Sequence, residues 1–412
     1  MNVEERKQMP LCYLYDRIIF MEKQIIKISV RRLVEFILRS GDLDNRIAAA
    51  DKEAMQLGAK IHRKIQRQMG PDYHAEISLK YIVPFEAFDI QIEGRADGII
   101  ESEEGIIVDE IKGVLKELEL LKEPVQVHLA QAKCYACIYA LQHELLSIKV
   151  QMTYCNMESE ETKRFQETFQ TEELKVWFEN LVLAYKKWAE FEISWKEKRN
   201  ASIKEIQFPY EYREGQKDLA ASVYKTILRQ KKLFIQAPTG VGKTMATVFP
   251  SVKAVGEGLG DKIFYLTAKT ITRTVAQQAF LKLKGQKLQY KIIILTAKEK
   301  ICFCEKAECN PDYCPYAKGH FDRINDAVYE LITEADDFSR EVIEKQAEKW
   351  QVCPFELGLD VSLWADAVIC DYNYVFDPNA CLKRFFADGV KGEYLFLVDE
   401  AHNLVERGRE ML

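Results

Sequence analysis

The sequence predicts an α/β fold in two parts, and three observations predict it. From Leu233 onward, the apolar runs LFIQA, KIFYLTA, IIIL, AVIC and YLFLVDE alternate with helical segments. Continuous apolar runs separated by helices indicate a parallel sheet buried on both faces. Residues 28–150 instead mix helical periods with β-rich stretches around short turns,. A polar, charged stretch from Lys196 to Lys204 reads as the boundary between the two,. The expected organisation is an N-terminal extension at 1–27, one domain at 28–198 and a second at 205–412.

The 412 residues are enough for two to three domains, each with its own core,. Apolar residues make up 48% and charged residues 30%, the balance of a globular chain and not of a disordered one,. No apolar run approaches the ~18 residues that span a bilayer, which excludes a membrane-spanning protein. Glu4 and Glu5 open an N-terminus without an uninterrupted apolar core, unlike a secretory signal,. Eleven cysteines in such a chain argue for cytoplasmic thiols or metal ligands, not disulfides,. The net charge of −6 confines any nucleic-acid surface to a local patch,.

Taken in order, Ile28–Leu38 and Glu53–Met69 read as helices, and Phe88–Lys112 as strands about a turn at Glu101–Gly105. Pro124 suits the first turn of a helix running to His143. Ser147–Tyr154 alternates like a strand, and Thr171, followed by two glutamates, starts a long helix. Trp177, Leu181, Ala184 and Trp188 fall at helical spacing on it, a stripe expected to pack in a core.

The segment Leu233–Thr244 places a Gly-rich loop after an apolar run expected to be a buried strand. Glycines let backbone N–H groups curl around phosphate oxygens, and the following helix adds its positive N-terminus. In this loop (Thr239, Gly240, Val241, Gly242, Lys243, Thr244), Lys243 would reach the β- and γ-phosphates and Thr244 would hold Mg²⁺. YLFLVDEAH, Tyr394–His402, is an apolar strand ending in two carboxylates. Asp399 can hold the Mg²⁺ of ATP, Glu400 can deprotonate the attacking water, and His402 can couple the phosphate site to neighbouring elements.

APTGVGKT together with DEAH resembles superfamily 2 helicases, specifically the DinG/XPD group. The resemblance covers residues 205–412. It implies a RecA-like domain, ATP-dependent unwinding of single-stranded or forked DNA in the 5′→3′ direction, and a role in repair or recombination. Tyr212–Gln216 resembles the adenine-reading motif, with Gln216 as the base contact. Thr267–Arg273 resembles the strand-gripping motif, with Thr267, Lys269 and Arg273 on DNA phosphates.

Between these motifs lie Cys302, Cys304, Cys309, Cys314 and Cys353, five of the eleven cysteines. No C-x₂-C knuckle of a zinc ribbon occurs among them, and the wide spacings suit a bulkier centre. The DinG/XPD resemblance implies a [4Fe–4S] cluster in an insertion at 298–358, held by Cys302, Cys309, Cys314 and Cys353. Cys304 is a spare thiol or an alternative ligand. Zinc and free thiols remain the other readings of the cluster.

In the first half, IEGRADGIIESEEGIIVDEIKG closed by a turn at Ser102–Gly105 sets Asp97 opposite Glu110, close enough to share a divalent ion. Lys112 emerges on the same face because strands alternate with period two. Two carboxylates and a lysine suit metal-dependent phosphodiester cleavage, although alternating charges on a strand are more often a solvated face. His62 on a preceding helix and Gln131-x-x-x-Tyr135 on a following one complete a pattern that resembles PD-(D/E)XK nucleases of the RecB/AddB type. That resemblance, over residues 28–195, implies Mg²⁺ or Mn²⁺ held by His62, Asp97 and Glu110. It also implies catalysis by Lys112 and support of the site or DNA by Gln131 and Tyr135. Glu76 is a weaker candidate. Cys12, Cys134, Cys137 and Cys155 could serve a second cluster, but core packing is the better reading.

The expected protein is a cytoplasmic helicase–nuclease. Rival readings are a DNA-binding first domain without cleavage, and an ATP switch in place of a motor. The chain stops shortly after His402 and holds no second RecA-like domain. It is therefore expected to be a fragment or half of a split system, to bind nucleotide weakly and to unwind nothing alone.

Overall fold

The computed structural model describes residues 23–46, 52–103, 105–115, 117–238, 240–268, 270–387, 390 and 392–410. Cys12, Thr239 and Lys269 lie outside them. The chain forms two compact units, 1–36 with 56–184 and 37–55 with 185–412.

In the first unit β1 (Gln24–Ser29) precedes α1 (Val30–Ile37), α2 (Lys52–Gln68), β2 (Tyr73–Pro84), β3 (Phe88–Ser102) and β4 (Gly105–Val114). Then come α3 (Gln126–Gln142), β5 (Ser147–Asn156), β6 (Thr162–Gln170) and α4 (Thr171–Glu205). The six strands make one mixed sheet in the order β1-β3-β4-β5-β6, with β2 on β3. Residues 24–27 are thus part of the sheet and not of an extension. Ile26 and Ile28 bury alternately, the period of a strand, so the helix expected from Ile28 begins only at Val30,.

β2 covers one edge of β3 from Asp89 to Ile100. β1 and β4 must therefore share the other edge. β1 pairs parallel as far as Glu93, and β4 pairs antiparallel from Gly98. Neither ladder covers residues 94–97. A notch opens there in the middle of the sheet, and Asp97 sits in it. Gly98 pairs with Asp109, so the expected register holds and Asp97 falls opposite Glu110.

The second unit contains α5 (Gln216–Leu228), α6 (Lys243–Gly256), β7 (Lys262–Thr267), α7 (Thr270–Lys284), β8 (Ile292–Ile294) and α8 (Lys298–Ile301). It continues with α9 (His320–Glu334), β9 (Asp337–Phe338), α10 (Arg340–Trp350), α11 (Pro354–Ser362) and β10 (Ala367–Asp371). It ends with α12 (Asn373–Phe376), α13 (Lys383–Phe386), β11 (Tyr394–Val398) and α14 (Leu404–Glu410). The sheet order is β11-β7-β10-β8-β9, and every pairing is parallel. All six residues of β7 are buried, as an apolar run between two helical layers requires,. Among the described residues, no helix is long and apolar enough to cross a membrane.

Three expectations need correction. LFIQA is not a strand: Leu233–Ala237 joins no ladder and Phe234 is 90% exposed. A strand exists only through its partner, and β11, a sheet edge, pairs with β7 alone. Lys196–Lys204 is not a linker but the end of the 35-residue helix α4, within which the two units divide. Lys, Glu and Arg are good helix formers, and Arg199 is buried in an ion pair with Asp366 at 2.9 Å,. Finally, residues 37–46 belong to the second unit, although they fall within the range expected for the first domain. The backbone N–H groups of Leu43 and Asn45 donate to the carbonyls of Ala317 and Cys309 at 2.9 and 2.7 Å. Arg39 pairs with Asp360 at 2.7 Å.

The Trp188 end of the aromatic stripe packs as expected. Its ring lies 5.0 Å from both Tyr329 and Trp364. Trp188→Ala should therefore cost about 3–5 kcal/mol, read as a lower denaturation midpoint of the second unit in urea.

Candidate functional site

The phosphate-binding loop enters α6 through two left-handed residues, Gly240 (φ +88°) and Gly242 (φ +77°). L-residues strain there, and a Cβ on Gly242 would meet Gln216 Nε2 at 2.3 Å,. Gln216, buried at the start of α5, accepts from the Arg213 N–H at 3.1 Å and donates to the Gly242 carbonyl at 3.2 Å. The Arg213 guanidinium donates to the Gly240 carbonyl. The segment expected to read the base is therefore joined to the loop expected to cradle phosphates. Lys243 Nζ donates to the Ala237 carbonyl at 3.0 Å, closing the loop on itself.

Asp399 leaves the end of β11 with its N–H bonded to Leu266, and Glu400 follows in a left-handed conformation (φ +50°). Burial and the neighbouring Glu400 charge raise the Asp399 carboxyl above its usual range. Tyr265 on β7 was missed by sequence reasoning. Its hydroxyl bonds both Thr244 and Asp399, and burial raises it further from ionisation. It links the two side chains expected to flank Mg²⁺, and only the strand register brings it there. Tyr372 donates to the Asp399 and Glu400 carbonyls. His402 Nδ1 lies 3.4 Å from Glu400 Oε2 in an open setting.

Of the residues expected to grip the strand, Thr267 and Arg273 are described. Thr267 is fully buried, and its hydroxyl pairs with Thr272 at 2.5 Å. Arg273 turns inward to Asp371 and the Leu295 carbonyl, each at 3.4 Å.

All five cysteines of the insertion line one cavity, with Leu43, Lys298, Phe303 and Tyr316 among the other walls. Cys309, Cys314 and Cys353 are buried, and Cys304 Sγ stands 3.7 Å from Cys314 Sγ. Burial pushes the Cys304 and Cys353 thiols up to about 12, so metal binding there must release protons,. Burial alone would lower Lys298, but its bond to Cys309 and the nearby Cys353 and Glu356 raise it instead. The donor set fits a thiolate-ligated centre: sulfur from distant segments gathers on one cavity beside a fixed cation. Cys134, Cys137 and Cys155 are buried in the first unit, as packing residues are.

In the notch of the first sheet, His62 Nδ1 lies 3.4 Å from Asp97 Oδ1, while Asp97 Oδ2 accepts the Ile111 N–H at 2.8 Å. Lys112 Nζ donates to Glu110 Oε1 at 2.8 Å and to Gln131 Oε1 at 3.1 Å. Gly94 faces Tyr135 so closely that a Cβ would stand 2.8 Å from its ring. His62 thus touches Asp97, and Lys112 touches Glu110 and Gln131; Asp97 reaches the second group through the Ile111 N–H, and Tyr135 closes over the strand beside them. Glu76 pairs with Arg95 at 2.5 Å and accepts from Gln66 Nε2 at 3.2 Å, a group that also donates to the Asp97 carbonyl at 2.9 Å. Sequence reasoning missed His128 on α3, which approaches Tyr154 at 3.3 Å; helical spacing from Gln131 could have found it,.

Among the described residues, no three His, Cys, Asp or Glu side chains stand close enough to hold an ion as they are. Glu110 shows what the notch lacks. Its Oε2 is buried without a hydrogen-bond partner, and burial with the nearby Asp97 charge, against Lys112, raises it to about 7. A buried, half-satisfied carboxylate fits a cation site. Between its ordinary 4.5 and about 7, the folded chain holds a proton that the unfolded chain has lost. Stability should therefore fall by roughly 3 kcal/mol as pH rises through that window, by linkage. Melting between pH 5 and 8 should show this fall, with Mn²⁺ flattening it and Glu110→Gln removing it.

Residues 286–412 match the DEAD_2 family model, and residues 217–303 match the DEAD/DEAH box helicase model. A regulator of telomere elongation helicase 1 homolog from Caenorhabditis briggsae is 22% identical over 241 residues, covering 48% of this chain and 24% of that protein. A Fanconi anemia group J protein homolog from Gallus gallus is 35% identical over 63 residues, 15% of this chain and 5% of its own. The chain thus spans about a quarter or less of these curated relatives. A solved structure described as XPD_Helicase is 20% identical, with a TM-score of 0.34 over 48% of this chain and 34% of that one.

Proposed function

We propose, for a chain whose residues 217–303 and 286–412 match the DEAD/DEAH box helicase and DEAD_2 models, that it is the first motor domain of an XPD-type DNA helicase joined to a metal-dependent nuclease. The linkage of Gln216 to the loop glycines carries the motor reading, because base contact and phosphate cradle then move as one unit. Lys243 would exchange the Ala237 carbonyl for the β- and γ-phosphates. Thr244 and Asp399, linked by Tyr265, would hold the Mg²⁺ that offsets charge on the transferred phosphoryl group,. Glu400 would take the proton of the attacking water.

Cys302, Cys309, Cys314 and Cys353 would hold a [4Fe–4S] cluster that shapes the insertion. In the nuclease, His62, Asp97 and Glu110 would hold Mg²⁺ or Mn²⁺, which lowers the pKa of a bound water. Lys112, with Gln131 and Tyr135 behind it, would face the scissile phosphate. Single-stranded DNA is the proposed substrate of both halves and 5′→3′ the proposed direction, the latter resting on resemblance. The test is ATP hydrolysis with and without single-stranded DNA. Stimulation by the strand supports the reading; nucleotide binding indifferent to DNA sinks the motor assignment.

A further inference from the structure

Cys309 and Cys314 lie far in sequence from Cys353, so a cavity shared by all three needs something to hold the two segments in register. Cys353 is the residue before α11, with Pro354 beginning the helix, and its backbone N–H needs a partner outside that helix,. The partner is His320. The Cys353 N–H donates to His320 Nδ1 at 3.2 Å. His320 opens α9, three residues after the cavity-lining Ala317, whose carbonyl accepts the His320 N–H at 3.3 Å. The imidazole is wholly buried.

An Nδ1 that accepts places the ring proton on Nε2. His320 Nε2 is buried, and no partner for it stands among the described residues. An unmade buried donor is costly, and a position retaining one implies a partner supplied from elsewhere. The charged groups that act on the ring are Asp360, Arg39, Arg323 and Arg384.

From these contacts we infer that His320 is the positioning residue of the iron–sulfur centre: its Nδ1 holds the Cys353 backbone, and with it the Cys353 thiol, in register with the segment that carries Cys309 and Cys314. The inference rests on the cysteine-ligand reading above. Second-sphere groups of this kind are worth about 10- to 100-fold in metal retention.

The experiment reconstitutes the whole chain with iron and sulfide under anaerobic conditions. It measures bound iron and sulfide, visible absorbance, and loss of colour to a chelator. Wild type should load, and His320→Leu should lose iron about 10- to 100-fold faster. His320→Asn, which keeps an acceptor near Nδ1, should restore retention. A His320→Leu chain as chelator-resistant as wild type overturns the inference alone. If His320→Leu does not fold, His320→Asn decides: retention like that of wild type supports the role, and iron loss as fast as that of Cys353→Ser overturns it. A folded wild type that takes up no iron removes the ligand reading and this inference together.

Discussion

Lys112→Ala is expected to reduce Mn²⁺-dependent cleavage of end-labelled single-stranded DNA by about 10²–10³-fold, the range for losing one preorganised charge at a developing anion. The geometry makes the residue hard to replace. Lys112 Nζ is fixed between Glu110 and Gln131, on the strand that carries the candidate metal-binding carboxylate. Without it, Glu110 would lose its one hydrogen-bonded cation while remaining buried, and its carboxyl would rise further. Two defects follow from one change: no cation at the phosphate, and a weaker metal ligand. Lys112→Arg tests the second separately, since it keeps the charge but not the compact geometry. The variant should still bind DNA, because exposed surface supplies most phosphate contacts. Equal cleavage by wild type and Lys112→Ala would indicate a contaminating enzyme. No cleavage by either, in protein that binds DNA, would leave the first unit a DNA-gripping module.

The notch shows why this site was legible before the structure. Register in a hairpin follows from its turn, so Ser102–Gly105 alone sets Asp97 opposite Glu110,. His62 and Gln131 follow from helical periods around that hairpin. What could not be read was the edge sharing of β3 by β1 and β4. That depends on a strand, Gln24–Ser29, whose pattern is too short to separate from a helix start. The same holds in the second unit. β7, β8, β10 and β11 announce themselves as apolar runs, but LFIQA has that pattern without a ladder partner. Thr267 lies in a gripping motif by sequence and in the core by register, because all of β7 is buried. Tyr265 and His320 act through contacts between segments distant in the chain. No local spacing encodes those.

Glu400→Gln carries the other large expected effect: ATP hydrolysis slowed by about 10²–10⁴-fold, the contribution of a positioned general base, with nucleotide affinity changed little. The two carboxylates of the DEAH segment should separate in this respect. Asp399 is half-buried at the strand end, bonded to Tyr265 and so to Thr244, where loss of charge removes a Mg²⁺ ligand. Glu400 turns away in its left-handed conformation and is exposed, with His402 Nδ1 3.4 Å from its carboxylate. A group in that position is free to meet water but not built into the cation's cradle. Single-turnover hydrolysis together with binding of a fluorescent nucleotide distinguishes the roles: Asp399→Ala should lose Mg²⁺-dependent affinity, while Glu400→Gln should bind and stall. If Glu400→Gln hydrolyses at the wild-type rate, the proton leaves the attacking water by another route. The αL geometry at 400 would then serve only to end β11.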